Sequence, residues 1–143
     1  MAETEIAPKP TVDIIIEVGG GIVLVQRRYP PRGWALPGGF IDAGEWAAQS
    51  ARREALEETG LTVEITDLLG VYSNPARDPR GIYTVSVVYI ARATGVPHGG
   101  DDAAEAKVFA LDALPTDIVF DHPLMIADYV RFRAGQGYPP VDR

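Results

Sequence analysis

Cysteine is absent from these 143 residues, which removes disulfide scaffolds, thiolate metal sites and cysteine nucleophiles together. Histidine is almost as scarce: His98 and His122 are the two present, and their separation is not that of a metal-binding pair. No apolar run is long enough to cross a bilayer and no signal peptide is recognisable, so a cytoplasmic location is expected and no membrane partner. Basic residues never run longer than the pairs Arg27-Arg28 and Arg52-Arg53, and the net charge is −7. Such a surface repels polyanions, which disfavours a nucleic-acid polymer but still admits a small nucleotide through metal ions and a few placed arginines. Repeats and low-complexity blocks are missing too. What is there is 46% hydrophobic residues in a chain of single-domain length, enough for a core without covalent staples.

The apolar residues fall into short runs. TVDIIIEV (11–18) and GIVLVQR (21–27) are β-rich and separated by Gly19-Gly20, which predicts a hairpin. A Pro-rich loop (28–33) leads through Trp34-Ala35-Leu36 into Pro37-Gly38-Gly39. A helix is expected over 45–59, ended by Gly60 in the left-handed conformation, with only small apolar residues (Ala47, Ala48, Ala51, Ala55) to set it close against a sheet. Strands are expected over 61–73, 82–92 and 106–110, with loops at 74–81 and 94–104. A closing helix over 122–134 has Asp121 as its N-cap and Pro123 in its first turn. Strands and helices with mixed connections predict an α/β (α+β mixed sheet) layered fold. Its bounds are a flexible N-terminal arm at 1–10, one domain at 11–134 and a C-terminal tail at 135–143. Tyr83, Val85, Val87 and Tyr89 suit either core or the interface of a homodimer.

The most informative stretch is GFIDAGEWAAQSARREALEETGL, 39–61. Glu54, Glu57 and Glu58 lie at helical offsets of three and four, where like charges repel unless a cation sits among them. Mg²⁺ or Mn²⁺, which take oxygen ligands and are commonly shared with substrate phosphates, are the natural candidates. Taken alone, RREALEE is also what a solvated helix face looks like, with Arg53 and Glu57 an ordinary surface pair. The full spacing overrides that: Gly39, five residues, Glu45, seven residues, Arg53-Glu54, two residues, Glu57-Glu58, one residue, Gly60, Leu61. This resembles the signature of the Nudix hydrolases, enzymes that cleave nucleoside diphosphates linked to another group. Ala55 stands where that family often has a larger aliphatic residue.

The resemblance implies an α/β/α sandwich and assigns roles. Glu54, Glu57 and Glu58 are then metal ligands, with Glu57, Glu58 and Arg53 central to catalysis. Glu45 and Arg53 orient the ligands through a salt bridge, and Gly38 and Gly39 permit the tight loop beside them. A glutamate from another loop often completes such sites as general base; Glu105 is the first choice, with Asp101 and Asp102 as rivals.

Ser73 to Gly81 contains RDPRG (77–81), similar to a segment of the Nudix enzymes that hydrolyse ADP-ribose, although Ile82 follows where a polar residue is usual. Phe120-Asp121-His122 and the Gly-Asp-Asp-Ala-Ala-Glu-Ala loop resemble further elements of that group, Val108 replacing the usual aromatic. Arg77, Arg80 and Arg27 are accordingly expected to bind substrate through forked hydrogen bonds, the alternative being that Asp78 pairs with one arginine to shape a turn. Trp34 is the candidate to stack on adenine. Tyr29 and Phe40 are more readily core residues, and His122 is a helix-start residue rather than a ligand. The expected function is metal-dependent hydrolysis of ADP-ribose to AMP and ribose 5-phosphate. The rivals are a sanitising nucleoside triphosphate pyrophosphohydrolase acting on 8-oxo-dGTP and a non-hydrolytic nucleotide-sensing domain.

Overall fold

The computed structural model describes residues 6–143, so positions 1–5 of the expected arm lie outside the described residues. In chain order the elements are β1 (Lys9–Val18), β2 (Gly21–Arg27), β3 (Trp34–Ala35), β4 (Gly38–Phe40), α1 (Ala47–Thr59), β5 (Glu64–Tyr72), β6 (Thr84–Arg92), β7 (Ala103–Ala110) and α2 (His122–Arg133). One mixed sheet runs β3-β2-β1-β6-β5, with β4 paired to β1 and β7 to β2. The β1–β6 pair is parallel and the others are antiparallel.

The isoleucine run of β1 shows why a sheet forms between helices. Ile14 and Ile16 face the core beneath α1, with Val23, Val25, Ala51 and Ala55. Ile15, between them, faces the core beneath α2, with Ile22, Leu24, Met125 and Ile126. Successive strand residues point to opposite faces, so a strand apolar at every position must be covered on both sides. Each such buried aliphatic side chain contributes roughly 1.5–3 kcal/mol. Ala51 and Ala55 are fully buried, and their size brings the α1 backbone close to the sheet. Gly60 ends α1 at φ 73°, its N–H donating to the Leu56 carbonyl at 2.9 Å.

The element bounds differ from the sequence reading for local reasons. β1 begins at Lys9 because Lys9 and Pro10 stay in register with Thr84 and Val85 of β6, and the Pro10 carbonyl accepts the Ile41 N–H at 3.1 Å. β5 begins only at Glu64, since Leu61 and Val63 turn into the α1-side core. β7 starts at Ala103 by pairing with Arg27 across a register shift. Asp121 precedes α2 but does not cap it with its side chain, which is bound elsewhere; its carbonyl accepts the Leu124 and Met125 N–H groups at 3.0 and 3.1 Å. Val87 and Tyr89 are half-buried against the α1-side core. At the expected tail, Arg143 donates two hydrogen bonds to Asp128 (2.9 and 3.0 Å), and its backbone oxygen accepts the Ser73 N–H at 2.7 Å. No helix among the described residues is long and apolar enough to cross a membrane.

Candidate active site

Three backbone features converge at one end of the sheet: the start of β1, the Gly38-Gly39 strand β4 laid against it, and α1 packed over both. They border a cavity of about 300 Å³ lined by Glu54, Glu58, Asp13, Arg27, Arg77, Arg80 and Phe120, among others. The close approach requires glycine. A Cβ on Gly38 would lie 2.2 Å from the Val12 carbonyl oxygen, and one on Gly39 would lie 2.5 Å from a Glu54 carboxylate oxygen.

Glu58 is buried on α1 and accepts the Gly38 N–H at 2.9 Å. Burial pushes its carboxyl up to about 9, with the charges of Glu54 and Asp13 adding to the rise and the Gly38 bond opposing it. Burial likewise raises Glu54 to about 6, against the pull of Arg53. Two oxygen-donor carboxylates that resist ionisation beside each other need a proton or a cation, and hard oxygen donors suit a divalent ion. The donor set therefore fits the expected metal in chemistry. Among the described residues, however, no three acidic or histidine side chains converge as a ready-made metal cage. Glu57 is the member drawn away: it does not line the cavity and accepts from Arg53 at 3.2 Å, the very surface pair that the sequence allowed.

Arg53 holds the cluster from behind. Its Nε donates to both Glu45 oxygens (3.2 and 3.0 Å), and its Nη1 to Glu54 at 2.9 Å. Its Nη2 reaches Glu45 again at 3.0 Å and the Phe40 carbonyl at 3.2 Å. The Arg53 and Ser50 hydrogen bonds pull the Glu45 carboxyl down to about 2. Glu45 in turn raises the already high Arg53 pKa further. One guanidinium thus spans the helix and the loop, fixing where Glu54 points.

The RDPRG arginines line the cavity but are occupied. Arg77, 5% exposed, grips Asp121 through two hydrogen bonds of 2.9 Å, donates to Thr84 and lies 3.7 Å from Asp13. Arg80 forks onto Asp78 at 3.0 and 2.8 Å, and Asp78 also accepts the Arg80 N–H at 2.9 Å. The turn-shaping alternative describes Arg80, whereas Arg77 is paired with a residue of the Phe120-Asp121-His122 segment. Arg27 differs. Its guanidinium donates to the Pro31 carbonyl at 2.8 Å, lies 4.9 Å over the Phe120 ring and is lowered in pKa by burial first and then by Arg80.

Two other expectations fall outside the cavity. Trp34 packs edge-on against Phe109 at 4.9 Å in the α2-side core. Glu105 is exposed on β7 opposite Gln26, whereas Asp101 and Asp102 of the preceding turn line the cavity, as do Tyr29 and Phe40.

Phe120 of the Phe120-Asp121-His122 segment lines the cavity, and so does Asp13, which no motif singled out. Asp13 is buried, accepts the Ser86 hydroxyl at 2.5 Å and lies 3.3 Å from His122 Nε2. His122 Nδ1 accepts the Leu36 N–H at 2.9 Å, so the proton sits on Nε2, the nitrogen on the Asp13 side. The signal was a lone carboxylate inside an apolar run, which must find partners when both strand faces are covered.

Comparison with known proteins agrees with this architecture. The model of the NUDIX domain family matches residues 7–129. The chain is similar to an ADP-ribose pyrophosphatase of Methanocaldococcus jannaschii, 46% identical over 131 residues that cover 90% of this chain and 76% of that one. Among solved structures, a NUDIX hydrolase from Nitrosomonas europaea aligns with a TM-score of 0.82 at 31% identity over 97% of this chain and 78% of that one. The NUDIX domain of NrtR from Shewanella oneidensis, complexed with ADP ribose, aligns with a TM-score of 0.71 at 29% identity over 90% and 89%.

Proposed function

This chain belongs to the Nudix family, and from that premise we propose that it hydrolyses ADP-ribose to AMP and ribose 5-phosphate with Mg²⁺ or Mn²⁺ as cofactor. The observation that carries the reading is one cavity lined both by the buried Glu58 and half-buried Glu54 carboxyls, whose ionisation burial opposes, and by guanidinium groups. Members of the family generally use divalent metals. A divalent ion held there would supply charge neutralisation for the diphosphate and a lowered pKa for the attacking water. Glu54 and Glu58 would hold it, joined by Glu57 on release from Arg53, while Arg53 and Glu45 keep Glu54 in orientation.

In the reaction the oxygen of water bonds to phosphorus, the bond to the bridging oxygen breaks, and the proton of the water passes to a carboxylate. We assign that last role to Asp102, a cavity residue, rather than to Glu105. Arg27, whose guanidinium donates to the backbone carbonyls of Pro31 and Pro30 rather than to a carboxylate, receives the phosphate charge. Arg77 acts indirectly, by fixing Asp121 and the floor of the cavity. The small nucleotide is the partner, and we read the protein as a homodimer through β5, an outer strand whose Leu68 and Val71 are exposed; a monomer mass in light scattering rejects that.

The test is AMP release from ADP-ribose, NADH and diadenosine compounds, and pyrophosphate release from oxidised dGTP, with Mg²⁺ present. The highest kcat/KM is expected on ADP-ribose. Preference for oxidised dGTP overturns the substrate in favour of a triphosphate pyrophosphohydrolase, and silence on every compound overturns the enzyme in favour of a sensor.

A further inference from the structure

The arginines of this acidic chain are mostly matched with carboxylates. Arg53, Arg77, Arg80, Arg92, Arg133 and Arg143 all form ion pairs. Arg27, Arg28 and Arg32 form none among the described residues, and these three line one open groove of about 510 Å³, with Asp117 the acidic residue in its wall. The charges of Glu58, Asp102 and Asp78 also act on Arg27, from the side of the main cavity. Three guanidinium groups that line one groove and form no ion pair outnumber its one acidic residue, an excess of positive charge that an anionic ligand relieves.

The groove is also prepared in geometry. Arg27 Nε is tied to the Pro31 carbonyl at 2.8 Å and Arg28 Nε to the Asp101 carbonyl at 3.1 Å, so backbone oxygens hold the stems without neutralising the charge. Arg28 and Arg32 are exposed, ready to present forked donors to an incoming group. Arg27 lines both this groove and the cavity of Glu54 and Glu58, which makes the two spaces neighbours with one shared cation.

We propose that the Arg27–Arg28–Arg32 groove is an anion subsite that takes a phosphomonoester group, carried by a substrate whose diphosphate lies in the main cavity or supplied as free phosphate. The substrate-borne case rests on the diphosphate-hydrolase reading above; the free-phosphate case stands without it.

Inorganic phosphate titrated into the full chain by calorimetry at low ionic strength provides the first readout. The Arg28→Gln/Arg32→Gln protein is expected to lose about tenfold or more in phosphate affinity, and Arg28→Lys/Arg32→Lys to fall between it and the wild type, since the charge remains but the fork does not. Unchanged affinity in the glutamine protein, or no phosphate binding by the wild type, overturns the subsite. The second readout is kcat/KM on ADP-ribose and on ADP-ribose with an additional phosphate on the adenosine ribose. A fall of about tenfold on the phosphorylated compound alone, with ADP-ribose unchanged, identifies the substrate as the source of the group. Unchanged kinetics on both compounds beside lost phosphate binding identifies free phosphate. Equal falls on both overturn a separate subsite. Should the wild type turn over neither compound, the hydrolase reading fails, and the titration still decides the groove.

Discussion

Arg77 and Arg80 have the same chemistry and sit three positions apart, yet burial gives them different weights. Arg77 is 5% exposed and neutralises Asp121 with Asp13 close by; Arg80 is 38% exposed beside Asp78. Arg77→Lys replaces a planar fork with a point charge, so Asp121 and Thr84 lose partners in a dry site. A loss of about 1–3 kcal/mol is expected in urea unfolding. Arg80→Lys is expected to lose less than about 1 kcal/mol, as solvent screens the head group. Equal losses would mean that the buried fork carries no special stability.

Glu58 gives a pH prediction at the same scale. In protein stripped of metal by chelator, its folded-state carboxyl near 9 lies above the ordinary 4.5. The folded form therefore binds the proton more tightly than the unfolded chain, and this stabilisation is complete below pH 4.5 and is lost as pH rises through 9. Glu54, near 6, loses its smaller share earlier. The Tm of the stripped protein should fall between pH 5 and 9 by about 5 °C or more, and Glu58→Gln should remove most of that slope while nearly abolishing turnover. A Glu58→Gln protein with the wild-type slope would show that another group titrates.

Among the elements, the decisive contact is β4 against α1, where two adjacent glycines face different neighbours. A Cβ on Gly38 meets backbone, the Val12 carbonyl, whereas one on Gly39 meets the carboxylate end of Glu54. Gly38→Ala should therefore lower stability by about 2 kcal/mol or more, as a β1–β4 contact must open. Gly39→Ala should leave Tm within about 2 °C and displace Glu54, lowering Mn²⁺ affinity by about tenfold in electron paramagnetic resonance titrations. Equal damage to folding by both substitutions would contradict this division.

The same two elements show what the sequence could disclose. The apolar runs of β1 and β2 announced a hairpin, and the spacing from Gly39 to Leu61 announced the helix with its glutamates, because both patterns are local. Partners distant along the chain left no such pattern. Asp13 meets His122, and Arg77 meets Asp121, only after the sheet has formed. Trp34 was drawn to Phe109, and Glu105 to the outer side of β7, by strand alternation whose phase a short run next to a loop does not reveal.

At the scale of the molecule, a charge of −7 can respond to cations in two ways. Diffuse repulsion weakens with any salt, whereas a site formed by Glu54 and Glu58 responds to divalent ions by mass action. The two carboxylates raised by burial mark where the acidic charge is least tolerated, so the second response should dominate. At a Mg²⁺ concentration of about 100 times its Kd the folded state gains about 2.7 kcal/mol, or about 10 °C in Tm for a chain of this length. NaCl at matched ionic strength should give less than about 2 °C, and Glu54→Gln/Glu58→Gln should respond alike to both salts. Calorimetric scans in which NaCl reproduces the Mg²⁺ shift in the wild type would reduce the metal site to general screening of an acidic surface.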